Sequence, residues 1–292
     1  MRGRDREEKG KYNMQIKKYM ELVTFSHTIF SVPFILIAMI VAANGWFGWK
    51  LLVLGLLAAV SARNFAMAVN RFVDRDIDAK NPRTKNRISV RGEINESEMK
   101  LFILANALIF IGVAYLINSL AFWLSIPVLV ILGGYSYFKR FSEFAHLILG
   151  VSLGLAPIAG AIAVTGEIPC WSVFLAFGVM FWVAGFDILY SLQDMEFDKE
   201  EGLYSIPAKI GENGALFISE MFHIFTVVLW VCFAAYAHLG FFGWIGVLFA
   251  AGMLYYEQKL VRKDFRNIPK AFFDVNGYLG IIFLVLIILD KV

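Results

Sequence analysis

Long apolar runs separated by short polar connections occupy almost the whole chain, and each run is long enough for the roughly 20 residues that cross a hydrocarbon core. The first extends from about residue 16 to Ala43, with Pro33 as an expected bend and Asn44-Gly45 as its stop. A second, from about Trp46 to Ala68, contains Arg63 and leads directly into charged sequence. The polar segment at about 79–97 contains the helix breaker Asn81-Pro82 and a turn at Gly92. Runs at about 98–118, 119–138, 143–165 and 170–192 follow, then a loop over about 199–213 and three more runs at about 214–238, 240–258 and 270–289. This pattern predicts an all-α integral membrane bundle of nine transmembrane helices. A polar tail over 1–15 precedes a single transmembrane domain, 16–292, and no separate soluble domain is indicated.

The basic residues give the bundle a direction. Lys and Arg concentrate in the N-terminal segment to Lys18, between Arg71 and Lys100, at Lys139-Arg140, at Lys199 and Lys209, and from Lys259 to Lys270. With nine crossings all of these fall on one side, while the other side receives only Lys50 and Lys291. Cytoplasmic loops are enriched in such residues, so the N-terminus is expected in the cytoplasm and the protein in a membrane, the bacterial cytoplasmic membrane being the expected one. Composition agrees: 59% of residues are hydrophobic, 17% are charged and the mean hydropathy is +0.66, against about 25% charged in a soluble domain. Cys170 and Cys232 lie in apolar sequence without metal-ligand spacing, which argues against a thiol metal site or redox pair. The basic start resembles a signal peptide, but the apolar run outlasts an h-region and reads as a retained helix.

Two charged stretches break the apolar pattern. Asn70, Asp74 and Asp78 recur every four residues at the end of the second run and drift by only about 80° on a helix. Asp187, Tyr190, Asp194 and Asp198, at the end of the sixth, fall within a similar arc if the helix is unbroken. Ionisable residues at membrane helices are costly and are read as functional. Both stripes fall on the cytoplasmic side, four helices apart, as a parallel repeat would place them. Facing carboxylates need cations, and Mg²⁺ binds through one or two carboxylates together with phosphate oxygens. Asp74, Asp78, Asp194 and Asp198 suit such ions, with Asn70 as a neutral oxygen ligand. The bases nearby, Arg63, Arg75, Arg83, Arg87, Lys139 and Arg140, argue for an accompanying anion such as a diphosphate, with the apolar helices as a bed for a hydrocarbon tail.

On these motifs the chain resembles the UbiA superfamily of membrane prenyltransferases over nearly its whole length. The resemblance rests on Asn70, Asp74 and Asp78 followed by Arg83-Thr84 and Arg87, and on Asp187, Tyr190, Asp194 and Asp198 followed by Ser205-Ile206-Pro207. Arg71 departs from it, since many members are acidic there. Phe25 to Phe30, with Asn81 to Thr84, is most similar to the 4-hydroxybenzoate polyprenyltransferase-like branch. The resemblance implies a central cavity and Mg²⁺-assisted departure of diphosphate from an allylic polyprenyl diphosphate. The polyprenyl group then passes to an aromatic acceptor, 4-hydroxybenzoate or 1,4-dihydroxy-6-naphthoate, in ubiquinone or menaquinone biosynthesis. Asn70, Asp74, Asp78, Asp194 and Asp198 would coordinate metal, Lys139, Arg63, Arg83 and Arg87 would bind diphosphate, and Asp187 and Tyr190 would shape the catalytic cavity. The expected partners are the two substrates and membrane lipid, with no nucleic acid.

Plainer readings stand beside these. Tyr190 can be an interfacial aromatic, and Lys139, Arg140, Arg83 and Arg87 can be positive-inside anchors. Asp76 and Glu196 lie off the stripes and read as solvated. Asp187 lies about 10 Å deeper than Asp194 at 1.5 Å per residue, which argues against mere solvation. His27 reads equally as an acceptor-pocket residue or a satisfied helix histidine, and His146, His223 and His238 have no assigned role. Rival functions are a UbiA-type enzyme with another acceptor (haem, a chlorophyllide or a glycerol lipid) and a cation-coupled secondary transporter.

Overall fold

A computed structural model describes residues 17–23 and 30–292 of the chain. The polar tail, the expected helix start at 16, and Ser26 and His27 lie outside the described residues. Those described form an all-helical bundle. Its principal helices are α1 (Val32–Ala43), α2 (Trp49–Val73), α3 (Glu96–Ile117), α4 (Ser119–Gly134), α5 (Ala145–Thr165), α6 (Cys170–Ser191), α7 (Ile206–Tyr236), α8 (Phe241–Lys263) and α9 (Asn276–Lys291). Among the described residues, seven helical segments are long and apolar enough to cross a membrane. The seven include α2 to α7 and the segment Phe265–Lys291 that ends in α9, whereas α1 is a shorter apolar helix. The length of α8 would suffice, but Tyr255, Tyr256, Glu257 and Gln258 dilute its apolar sequence.

Local chemistry sets several boundaries differently from the apolar pattern. Pro33 starts α1 instead of bending a longer helix, because proline lacks the N–H an interior position needs and suits the first turn. Asn44 ends α1 in the left-handed conformation (φ 48°), as the Asn-Gly pair predicts. Residues 206–213, expected as loop, belong to α7: the Ser205 hydroxyl accepts the Ala208 N–H and Pro207 occupies the first turn. Gly211, at φ 72°, then bends the segment. Tyr135–Arg140 tightens into a 3₁₀ helix after α4, and Ala271–Val275 widens into a π-helical turn before α9.

Helix α6 is the centre of the fold and packs extensively against α5 and α7. Its contact with α5 depends on small residues: a Cβ at Gly150 would overlap the Met180 carbonyl oxygen, and one at Gly154 would lie 2.8 Å from that of Ala176. On its other side Trp182 joins a fully buried aromatic core. Phe34 of α1 lies 4.9 Å from Trp182 and 5.4 Å from Trp230 of α7, which lies 5.4 Å from Phe283 of α9. Asp290 accepts the N–H groups of Gly240 and Gly243 at 2.8 and 2.9 Å and closes the start of α8. Helices α2 to α5, by contrast, leave an open cavity between themselves and α6. Cys170 and Cys232 are free thiols.

The glycine contact yields a direct test. Gly150→Val should destabilise the detergent-solubilised protein by about 1–3 kcal/mol, the usual cost of overpacking, read as a fall in the thermal unfolding midpoint. Gly112→Ala, where an added Cβ meets nothing within 4 Å, should leave the midpoint near that of the parent protein.

Candidate active site

Both acidic motifs arise where a membrane helix gives way to a short helix. Helix α2 ends at Asp74 (φ −91°, ψ 6°), and Arg75–Lys80 forms the next turn and a half. Helix α6 ends at Ser191, passes through the 3₁₀ turn Leu192–Asp194, and continues as Met195–Glu200. The unbroken helix behind the expected second stripe is therefore absent. The 3₁₀ turn replaces it, and the motif converges because it lines a common chamber with the first.

That chamber, about 240 Å³, is lined by Asn70, Asp74, Asp78, Asp187, Tyr190, Asp194 and Asp198, together with Arg83, Arg87 and Lys139. Each motif carboxylate described next faces a base. Lys139 Nζ lies 2.7 Å from Asp74, Arg87 donates to both oxygens of Asp78 at 2.6 and 2.7 Å, and Arg71 lies 3.9 Å from Asp78. Arg83 grips Asp194 with Nε at 2.9 Å and a terminal nitrogen at 2.5 Å, and its other terminal nitrogen donates to the Tyr190 hydroxyl at 3.0 Å. Its guanidinium also stacks 5.1 Å from the centre of the Tyr190 ring. Among the described residues no three His, Cys, Asp or Glu side chains already converge as a metal cage. Asp74 Oδ1 is nevertheless buried with no hydrogen-bond partner among the described residues. Burial pushes the Asp74 carboxyl above its ordinary range, against the opposing pull of Lys139. A hard cation is the natural partner for that oxygen in a set of carboxylates and an amide.

Two residues have a part in the site that the sequence alone does not assign. Asn81, read as part of a helix breaker, donates to Asp194 at 2.9 Å while its oxygen accepts the Arg83 N–H at 2.8 Å, so the loop after the first motif grips the second. His146, given no role, lies 2.7 Å from Asp187 through Nδ1. Its Nε2 accepts the Ile206 N–H at 3.3 Å, which assigns the proton to Nδ1 and makes the histidine the donor to Asp187. The available signal was a histidine at the start of an apolar helix. Tyr204 N–H donates to the Lys139 carbonyl at 2.8 Å and ties the return strand of chain to the 3₁₀ helix that carries that lysine.

A second cavity, about 590 Å³, opens from this chamber and is apolar. Asn70, Arg71, Arg87, Tyr135, Leu149, Asp187 and Tyr190 line both and form the neck between them. Along α2 the apolar wall runs from Gly55 to Asn70, fifteen residues or about 22 Å at 1.5 Å per residue. Arg63 differs from the expectation: it lines the apolar cavity with Tyr135 and is absent from the polar chamber, because it lies seven positions before Asn70 on α2. Arg140 and Asp76 pair away from the chamber at 2.8 Å, and this contact holds the exposed Asp76 carboxyl below its ordinary range.

The model of the UbiA prenyltransferase family matches residues 31–287. A 4-hydroxybenzoate octaprenyltransferase of Herminiimonas arsenicoxydans is 30% identical over 245 residues, covering 83% of this chain and 85% of the relative. One from Yersinia pseudotuberculosis serotype O:1b is 28% identical over 235 residues, covering 80% and 81%. Among solved structures, the apo form of a UbiA homolog from Aeropyrum pernix K1 superposes with a TM-score of 0.84 at 33% identity, covering 91% of this chain and 98% of that one. A UbiA homolog from Archaeoglobus fulgidus bound to DMAPP and Mg²⁺ shares the fold, with a TM-score of 0.75 at 21% identity and coverage of 93% and 99%.

The pairing makes a stability prediction. Arg87→Met takes the two-bond partner from the buried Asp78 carboxylate and leaves Arg71 at 3.9 Å, and should cost up to about 3 kcal/mol in metal-free detergent solution, below the fully buried limit because Arg87 keeps some contact with water. Asp76→Asn at the exposed pair should cost under about 1 kcal/mol. Equal thermal shifts in the two variants would contradict this assignment of burial.

Proposed function

Because the chain belongs to the UbiA prenyltransferase family and is a prenyltransferase enzyme of the membrane, we propose that it moves a polyprenyl group from an allylic polyprenyl diphosphate to an aromatic hydroxy acid. The acceptor is 4-hydroxybenzoate or 1,4-dihydroxy-6-naphthoate, and the product enters ubiquinone or menaquinone biosynthesis. The observation that carries this reading is the joined pair of cavities: a chamber of carboxylates and bases that opens through a neck into an apolar cavity about 22 Å long. A diphosphate with a long hydrocarbon tail has the same division of polarity.

The donor set fits Mg²⁺, with Asn70, Asp74, Asp78, Asp194 and Asp198 as the residues that would hold it and the buried Asp74 Oδ1 as an oxygen open to a cation. Bound metal would supply the charge that stabilises the departing diphosphate. Lys139, Arg83 and Arg87, which neutralise carboxylates in the structure, would then turn to the diphosphate oxygens. Arg63 lines the apolar cavity and not the chamber, so it is set apart from these three bases. In the reaction the allylic carbon–oxygen bond breaks, the electron-rich ring carbon forms the new carbon–carbon bond, and the ring loses a proton. Asp187, oriented by His146, and Tyr190, gripped by Arg83, border the neck where the two substrates would meet. The walls of the cavity keep water from the reacting carbon.

In the membrane the reading has nine crossings, counting α1 and α8 with the seven long apolar segments. The N-terminal tail over 1–15 and the acidic chamber face the cytoplasm, and 16–292 form one domain. Clustering of Lys and Arg at the chamber end supports this orientation. A transporter would place its carboxylates near the bilayer midplane, whereas these motifs follow the ends of α2 and α6. Haem, a chlorophyllide or a glycerol lipid as acceptor would keep the departure of diphosphate and change the atom that forms the new bond.

Purified protein given Mg²⁺, an allylic polyprenyl diphosphate and each aromatic acid separately should form a prenylated product identifiable by mass. Asp74→Asn should lower the rate on the order of 100-fold or more, and a chelator should abolish it. Release of diphosphate with neither acid modified would exclude both acceptors. Loss of both turnover and Mg²⁺-dependent diphosphate binding would overturn the enzyme reading in favour of transport.

A further inference from the structure

The apolar cavity has one wall unlike the rest. Most of its lining is aliphatic, with Ala58, Ala59, Ala62 and Ala66 along α2, but four rings meet beside the neck. Phe272 lies 4.3 Å from Tyr190, 5.2 Å from Phe186 and 5.2 Å from Phe30, measured between ring centres. The Phe186 and Phe30 contacts are edge-on, at 89° and 76° between planes, and the Tyr190 ring is tilted by 37°. All four line the cavity, and Tyr190 also lines the polar chamber. The aromatic wall thus adjoins the place where the diphosphate end of one substrate would give way to its hydrocarbon.

Phe272 is placed there by an irregular piece of backbone. It occupies the π-helical turn Ala271–Val275, and such turns recur at functional sites because the wider winding changes the direction of the side chains it carries. The turn is anchored by Asn276. Its amide donates to the Ala271 carbonyl at 3.1 Å and to Glu257 Oε1 on α8 at 2.7 Å, while its oxygen accepts the indole N–H of Trp182 on α6 at 2.7 Å. Asn276, Glu257 and Trp182 are all fully buried. A buried carboxyl and a buried amide are expensive in an apolar bundle unless they fix something. What they fix is the turn that holds Phe272 against Tyr190.

The geometry points to Phe272, with Phe186 and Tyr190, as the platform on which the aromatic acceptor rests its ring during prenyl transfer. This rests on the transferase reading above and adds the surface that recognises the acceptor. A planar, electron-rich ring gains edge-to-face or offset contacts against such a wall, which an aliphatic wall cannot supply. Tyr190 carries the Arg83 guanidinium on its ring, and this cation draws density from the wall at its polar end. The acceptor's polar substituents would lie at that end and its apolar edge toward Phe272. Phe272 is then a binding residue that sets acceptor affinity, while Asn276 and Glu257 are positioning residues.

The test separates the two substrates. With Mg²⁺ and saturating polyprenyl diphosphate, Phe272→Leu should raise the KM for whichever aromatic acid the unaltered protein prenylates by about tenfold, the scale of a lost aromatic pair. The KM for polyprenyl diphosphate should change by less than about twofold. Phe272→Tyr, which keeps the ring, should recover most of that loss. Thermal unfolding monitors folding, and Phe272→Met, apolar and without a ring, replaces the leucine variant if that one is unstable. Equal increases in both KM values, or a fall in kcat at unchanged acceptor KM, would overturn the proposal, the latter assigning the wall to the allylic cation. Unchanged kinetics with lowered thermal stability would make Phe272 a packing residue and overturn it alone. Failure of the unaltered protein to prenylate any aromatic acid would overturn the underlying reading as well.

Discussion

Four carboxylates from two helix ends are brought into one chamber at the end of an apolar bundle, and the surrounding structure answers their mutual repulsion. Like charges at this spacing cannot remain ionised in a poorly solvated place without cations. The protein meets the requirement at three of the four with Lys139 on Asp74, Arg87 on Asp78 and Arg83 on Asp194, drawn from the two connections that follow α2 and α4. Asn81 and Tyr204 then tie those connections to each other, so the loops between helices have the order of a site. The buried Asp74 oxygen without a hydrogen-bond partner, and Asp198, which has no ion pair among the described residues, mark where this internal neutralisation is incomplete.

From that chamber the rest of the architecture reads as a separation of polarities. Helices α2, α4, α5 and α6 surround an apolar cavity, and the tight aromatic packing of α1, α6, α7 and α9 keeps the opposite half closed. The glycines of α5 let α6 approach closely enough for His146 to reach Asp187. The neck therefore brings charge, a fixed carboxylate and an aromatic wall to one place. Chemistry that cleaves a polar group from an apolar chain requires this boundary, and a uniformly polar or uniformly apolar pocket would bind only half of such a substrate.

Much of this was legible in the sequence, and the illegible parts share a cause. Spacing identified both acidic motifs because four-residue steps survive even when the helix tightens, as it does at Leu192–Asp194. Apolar length located the long helices, although it could not see that Ser205 and Pro207 start α7 early. Nearness in sequence and the family resemblance group Arg63 with the diphosphate bases, whereas its height on α2 puts it along the apolar cavity. His146 meets Asp187 across 41 positions and Asn81 meets Asp194 across 113, and no local pattern encodes such contacts. The π-turn that directs Phe272 depends on hydrogen bonds from α6 and α8, so it too exists only in the folded chain.

If the two motifs form one metal-dependent diphosphate site, metal and anion bind there together. Binding of Mn²⁺, a paramagnetic substitute for Mg²⁺, to the detergent-solubilised protein is read by electron paramagnetic resonance, with and without inorganic diphosphate. Each ligand should strengthen binding of the other, because the anion would complete the metal's oxygen shell and the metal would release Lys139, Arg83 and Arg87 to the anion. Mn²⁺ affinity that is indifferent to diphosphate, or diphosphate binding that needs no metal, would contradict it.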